Sequence, residues 1–306
     1  MPDSIRTVIT DATVVTADAD DRILERASIV IEGELIVDLV EGGHPEARSG
    51  EIRIDAGGGI VMPGLVDAHS HLAMTLYRGL ADDLDLQDFL GRLLPLEEAT
   101  ISPELVAAGA RLGMAEMLAG GITTSLDMYW FPETSAEVAE VAGMRLATGP
   151  LFIGGIAPDQ LGFDERVAAY GRTGTPAWTM VHGTYTMSVA ELEEAAGLAR
   201  EAGSRLHLHA AENQAEVDQV VAATGRRPVE LLDALGLLGP TTVLAHAVVL
   251  TDDEVARLGA TRTAIAHCPL SNMKLASGVC RVDELIRAGA TVGLGTDGPS
   301  SSNDLD

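Results

Sequence analysis

Pro63-Gly64-Leu65-Val66-Asp67-Ala68-His69-Ser70-His71 is the stretch around which the chain is organised. The apolar run Ile60-Val61-Met62 leads into it, and two histidines with one residue between them close it. On a strand, residues i and i+2 point to the same face, so the two imidazoles stand side by side and converge on one point. A metal ion asks that of its first two nitrogen ligands. Taken alone, His-x-His fits two ordinary loop histidines as well. The placement of the other histidines decides.

From residue 60 onward the pattern is strand, loop, helix, repeated. After the opening strand a long loop is expected over about 72–100. A helix follows it. Ser102 is a good N-cap, Pro103 suits the first turn, and Leu105, Ala108, Leu112, Ala115 and Ala119 keep helical spacing up to Gly120-Gly121. Short β-branched or apolar runs mark the next strands: 122–127, 145–148, 178–182, 205–209, 242–246, 263–267 and 291–297. Ser188-x-x-Glu191 and Thr251-x-x-Glu254 are capping boxes that open helices between them. Eight strands alternating with helices predict a (β/α)8 TIM barrel over residues 61–306.

Residues 1–60 differ. Thr7–Thr10, Ala12–Thr16, Ser28–Ile31 and Leu35–Asp38 read as short strands, punctuated by Gly33, Gly42-Gly43 and Gly57-Gly58-Gly59. We read them as a small N-terminal β module, one part of a composite β-sandwich. The chain ends nine residues after Asp297, without a final helix. A barrel lacking that helix leaves apolar strand faces uncovered, so the natural chain is expected to continue.

Seven of the eight histidines lie outside the β module. His69 and His71 end the first strand, His182 the fourth, His207 and His209 the fifth, His246 the sixth and His267 the seventh, and Asp297 ends the eighth. Active sites of such barrels lie at the C-terminal strand ends. A single Zn²⁺-type site would use His69, His71, one histidine of strand five, and Asp297. Nitrogen and carboxylate ligands with a position left for water make a catalytic site. His209 is the better strand-five ligand, because Glu212 follows at i+3 and can lean over the metal's water. His207 lies deeper; it is either a donor that steadies a ligand or a packed core residue, with core preferred. A metal lowers the pKa of its water to roughly 7 and so supplies hydroxide. Glu212 is the natural general acid/base, with a helix N-terminal carboxylate as its simpler alternative. His246 would orient the hydroxide, and Asp297 can accept the water's proton.

The 306 residues are 46% hydrophobic and 22% charged, a profile with a substantial core. No apolar run reaches membrane-spanning length, and Met1–Arg6 shows no signal pattern. Two cysteines, Cys268 and Cys280, suggest no disulfide framework. A cytoplasmic protein is expected. The net charge is −26, with 46 acidic and 20 basic residues, which argues against nucleic acid and anionic membranes as partners. A small-molecule substrate is expected; a homo-oligomer stays open. Lys274, the one lysine, is either solvated or orders its loop.

Asp67-Ala68-His69-Ser70-His71, His209-x-x-Glu212, Ala245-His246 and Gly295-Thr296-Asp297 together resemble the amidohydrolase superfamily, in its deaminase/chlorohydrolase branch. The stretches His71–Leu84, Leu94–Glu97, Ser271–Gly278 and Gly295–Gly298 are most similar to the S-adenosylhomocysteine/methylthioadenosine deaminase group. The resemblance implies one Zn²⁺, or Fe²⁺, held by His69, His71, His209 and Asp297. It implies that Glu212 protonates a purine ring nitrogen while hydroxide attacks the amine-bearing carbon. His246 would hold the hydroxide, and Asp297 would pass its proton to departing ammonia. His182 would contact substrate, and Glu97 would accept from the ribose hydroxyls. Phe89 stands where the group often has Trp; it can stack on a purine but cannot donate a hydrogen bond. The implied activity is hydrolytic deamination of an aminopurine nucleoside. Triazine hydrolysis or guanine- or pterin-type deamination is the alternative on the same fold. An inactive barrel serving as a binding or assembly subunit is the alternative of another class.

Overall fold

The computed structural model describes residues 5–172 and 174–306, so residues 1–4 of the chain start lie outside it. The chain divides into two compact units between Gly64 and Leu65.

The first unit holds β1 (Arg6–Val15), β2 (Ile23–Glu32), β3 (Leu35–Glu41), β4 (Ile52–Asp55) and β5 (Ile60–Val61). They make one hydrogen-bonded sheet in the order β3-β2-β1-β4, with β5 also on β1. The two strands expected at 7–10 and 12–16 are one. Asp11 takes φ 51°, and the β1–β2 register shifts between Ile9 and Ala12. Such a bulge bends a strand without ending it. Alternate β1 residues are buried, and Ala12, Val14, Leu24, Ala27 and Ile29 form this unit's core. Ile60-Val61 pairs with Thr13-Val14 and so belongs here, not to the barrel.

The second unit holds β6 (Leu65–Ser70), β7 (Ile122–Asp127), β8 (Arg145–Ala147), β9 (Leu151–Phe152), β10 (Trp178–Gly183), β11 (Arg205–Ala210), β12 (Thr242–His246), β13 (Ala264–His267) and β14 (Thr291–Leu294). Its helices are α1 (Leu86–Thr100), α2 (Pro103–Ala119), α3 (Pro132–Ala142), α4 (Phe163–Ala169), α5 (Val189–Ala202), α6 (Gln214–Thr224), α7 (Pro228–Ala234), α8 (Asp252–Thr261), α9 (Pro269–Lys274), α10 (Val282–Ala288) and α11 (Pro299–Ser302). All strand pairs are parallel, in the runs β6-β7-β8 and β9-β10-β11-β12-β13-β14. The third barrel strand is split: β8 pairs with β7 and β9 with β10, and Thr148-Gly149-Pro150 breaks the ladder between them. Between first and eighth strands, the Asp297 amide donates to the His69 carbonyl at 2.9 Å. Strands and helices bury a common layer including Val181, Leu192, Leu208, Leu232, Leu244 and Leu258. Each such side chain contributes roughly 1.5–3 kcal/mol of burial.

The caps behave as their chemistry demands. The Ser102 hydroxyl accepts from the Leu105 amide, and both capping boxes are formed. The segment 72–100 is a correction. It is not a loop but a 3-10 helix over Leu72–Tyr77 followed by α1. Asp85 caps α1 by accepting from the Asp88 amide, and Leu86, Phe89 and Leu93 form its buried face. Pro95 inside the helix lacks the amide that would bond one turn back, which is why the pattern reads as a loop. Lys274 ends α9. Its ammonium donates to the Ser300 carbonyl and Asn303 Oδ1 and pairs with Asp82 at 2.6 Å, so it orders this region. No described helix is long and apolar enough to cross a membrane.

Candidate active site

β6 delivers His69 and His71, β11 delivers His209, and the turn after β14 delivers Asp297. Asp297 lies beyond the strand it was expected to end, in the left-handed region at φ 61°. His246, Ala247 and Ala211 share that conformation at φ 71°, 47° and 53°. Non-glycine residues held there cost about 1–3 kcal/mol each and cluster where a site needs side chains aimed. Gly295 has a steric reason: a Cβ there would lie 3.0 Å from both His69 Cβ and Cys268 Sγ.

The donor atoms of His69, His71, His209 and Asp297 lie within 4.8 Å of one another, and all four residues are buried. His209 Nε2 is 3.1 Å from His69 Nε2 and 3.3 Å from His71 Nε2. Asp297 Oδ1 is 3.3 Å and 3.1 Å from the same two nitrogens. The tautomers follow from the far side of each ring. His71 Nδ1 meets the Met128 carbonyl and His209 Nδ1 the His182 carbonyl, and a carbonyl only accepts. Both Nδ1 atoms therefore carry the proton. His207 Nδ1 likewise donates to the Val243 carbonyl at 3.1 Å, so its Nε2 accepts from His69 Nδ1 at 2.7 Å. Burial, then the neighbouring His69, keeps His207 neutral, far below the usual imidazole range. In their neutral form the three rings thus turn Nε2 lone pairs toward one carboxylate oxygen. A tetrahedral ion with bonds of about 2.0–2.1 Å spaces its ligands by roughly 3.3 Å, so the donor set fits a divalent metal.

His207 is the second correction. It is not simply core; it holds the His69 ring in one tautomer. Its i−2 spacing from His209 carried the signal, because it put both rings on one strand face.

Glu212 sits one turn beyond His209, 3% exposed, with Oε2 3.6 Å from His246 Nε2. Burial, then the charge of Asp297, pushes its carboxyl well above the usual range. Glu216, which sequence reading missed, makes the turn: its carboxylate accepts from the amides of Ala211 at 3.0 Å and Glu212 at 2.6 Å and from Thr184 Oγ1 at 3.0 Å. Asn213-x-x-Glu216 has capping spacing, and Asn213 Oδ1 does accept from the Glu216 amide. His246 Nδ1 lies 2.9 Å from Asn272 Nδ2, and burial lowers its pKa to about 3. Ser271 and Ser301 donate to Asp297 Oδ2 at 2.5 and 2.7 Å, leaving Oδ1 for the histidines.

One cavity opens onto these groups. Besides His71, His209, Glu212, His246 and Asp297 it is lined by Phe89, Leu90, Leu93, Glu97, Tyr129, Trp130, His182 and Tyr185. Every site residue read from the sequence except buried His69 therefore lines it. Phe89 and Glu97 reach it from helix α1, not from a loop. Burial lowers His182 to about 3, so it enters the cavity as a neutral imidazole.

The amidohydrolase family model matches residues 60–306. A 5-methylthioadenosine/S-adenosylhomocysteine deaminase of Nitratidesulfovibrio vulgaris is 40% identical over all of this chain, which spans 71% of its length. A deaminase of the same name from Haloarcula marismortui is 39% identical over 94% of this chain and 68% of its own. Among solved structures, an adenosine deaminase from Xanthomonas campestris with bound zinc superposes with a TM-score of 0.88 at 34% identity, over 100% of this chain and 72% of that one. A triazine hydrolase from Arthobacter aurescens superposes with a TM-score of 0.88 at 26% identity, over 98% and 73%. With the family model spanning the whole barrel and the relatives covering nearly every residue, the chain belongs to the amidohydrolase family.

Proposed function

We propose that this protein is a metal-dependent hydrolytic deaminase of an aminopurine nucleoside, of the methylthioadenosine, S-adenosylhomocysteine or adenosine type. The observation that carries this reading is one cavity that joins the metal-fitting cluster to Glu212 and His246. The deaminase relatives and the zinc-bound neighbour support it.

His69, His71, His209 and Asp297 would hold one divalent ion, Zn²⁺ first and Fe²⁺ as the other candidate. When bound, the ion supplies Lewis acidity, bringing the pKa of water to about 7 so that a nucleophile exists at neutral pH. The chain's own residues do the rest. Glu212 enters protonated and gives its proton to a ring nitrogen as water's oxygen adds to the amine-bearing carbon. That carbon turns tetrahedral, Asp297 takes one of the water's protons and passes it to the amine, the C–N bond breaks to release ammonia, and the remaining hydroxyl proton returns to Glu212 as the carbonyl forms. With Asn272 donating to Nδ1, His246 carries its proton on Nε2 and can steady the attacking oxygen. Phe89 would stack on the base, His182 would contact the substrate, and Glu97 would accept from the ribose hydroxyls.

A small-molecule substrate in the cytoplasm is the setting proposed. A charge of −26 repels nucleic acid and anionic lipid. The test is a screen of the metal-loaded protein on S-adenosylhomocysteine, methylthioadenosine, adenosine, guanine and a chlorotriazine. Ammonia from an adenine nucleoside is the expected result. Chloride release alone would move the assignment to triazine hydrolysis, and release from none would leave a non-catalytic barrel.

A further inference from the structure

The stretch Met128-Tyr129-Trp130, directly after β7, holds two unrelated parts of the cavity. The Met128 carbonyl fixes His71, as described above. The next two residues fix Glu97. Tyr129 Oη donates to Glu97 Oε1 at 2.5 Å, and Trp130 Nε1 donates to Oε2 at 3.3 Å. Glu97, Tyr129 and Trp130 are 1%, 2% and 3% exposed, yet all three line the cavity. Trp130 is itself steadied: the guanidinium of Arg166, ion-paired with Asp159, lies 5.5 Å from its ring centroid.

A carboxylate offers about four lone-pair sites, so one donor on each oxygen leaves roughly two free. A freely turning carboxylate would spread those sites over many directions. Two donors on adjacent residues of one turn hold it in a single plane. Two parallel acceptor sites in a fixed plane match a vicinal diol, whose hydroxyls point the same way.

We propose that Tyr129 and Trp130 are positioning residues that set the selectivity for a ribose over a 2′-deoxyribose by holding Glu97 in that plane. The proposal rests on the reading of Glu97 as the acceptor of the ribose hydroxyls. Neither aromatic residue belongs to the donor cluster or bonds to Glu212 or His246, so their effect should fall on KM and not on kcat. Loss of a hydrogen bond to a charged group is worth about tenfold or more.

The test is steady-state kinetics of the metal-loaded protein on adenosine and 2′-deoxyadenosine, with Tyr129→Phe, Trp130→Phe and Glu97→Gln, and metal content read for each. Two separate aromatic variants keep the test alive if one does not fold. Tyr129→Phe and Trp130→Phe should raise KM for adenosine about tenfold, leave kcat within roughly threefold, and leave 2′-deoxyadenosine almost unchanged. An equal rise for both nucleosides overturns the proposal, since it marks a general packing defect. A collapse of selectivity in Glu97→Gln with none in the aromatic variants overturns the positioning role while keeping Glu97 as the diol acceptor. Unchanged selectivity in Glu97→Gln removes the Glu97 reading and the proposal with it.

Discussion

His69 Nδ1 lies 2.7 Å from His207 Nε2. The contact closes a chain from the Val243 carbonyl through His207 to the His69 ring, whose Nε2 faces the cluster. It leaves His69 one tautomer, with its Nε2 lone pair turned to the cluster. Outer hydrogen bonds of this kind are typically worth 10–100-fold in metal affinity. His207→Phe removes the acceptor and should weaken metal binding by about that factor. His207→Gln can still accept through its carbonyl oxygen and should recover most of it. Competition with a coloured chelator reads both. Equal affinity in His207→Phe and the wild type would return His207 to the role of a packed core residue.

Glu212 and Glu216 divide one task. Glu216 ties down the amides of Ala211 and Glu212, and Ala211 sits in the left-handed region. Without that carboxylate the turn has no partner for two buried amides. Glu216→Gln turns an N–H toward one of them. Turnover should drop by roughly 10²-fold, as expected for a displaced catalytic group, with metal content unchanged. Loss of the metal instead would mean that Glu216 supports the whole strand end and not Glu212 in particular.

Glu212→Gln is nearly isosteric and leaves the four donors alone. It should bind metal at full stoichiometry, still bind nucleoside, and lose turnover by about 10²–10⁴-fold, the usual worth of a positioned proton donor. Wild-type rates in this variant would remove Glu212 from the proton-transfer role and leave it as a helix-terminal carboxylate.

The barrel and the meeting of His69, His71, His209 and Asp297 in one cluster were legible because they follow from period and position. Strands alternate with capped helices, and His69, His71, His209 and Asp297 fall at or just beyond strand ends. Three features were not legible, each for a physical reason. α1 hides behind Pro95, a residue that local propensity forbids in a helix and that tertiary burial of Leu86, Phe89 and Leu93 overrides. Asp11 carries a turn-like conformation, yet pairing with β2 and β4 on both sides keeps β1 whole. Asn272 and Ser271 act on His246 and Asp297 from 26 residues away, so no local spacing marks them, and Glu216 shows only the capping spacing Asn213-x-x-Glu216, which says nothing of the amides it holds.

The buried carboxyl of Glu212 also gives the metal-free protein a pH signature. Burial, followed by the Asp297 charge and by Glu216, raises its pKa well above the usual carboxyl range. In the unfolded chain it titrates near ~4.3. A folded pKa above the unfolded one means that the folded state binds the extra proton. The favourable contribution is complete below about pH 4.3 and is lost as pH rises toward the folded pKa. Each pH unit within that window costs about 1.4 kcal/mol. Glu212→Gln lacks the titration. Its stability relative to the wild type, read from denaturant midpoints of the metal-free proteins, should therefore improve steadily between pH 4.5 and pH 7.5. The comparison is made without metal because a bound cation would pull the carboxyl back down. A stability difference that stays flat across this window would mean that Glu212 is ionised in the fold, and its role as the entering proton donor would fall with it.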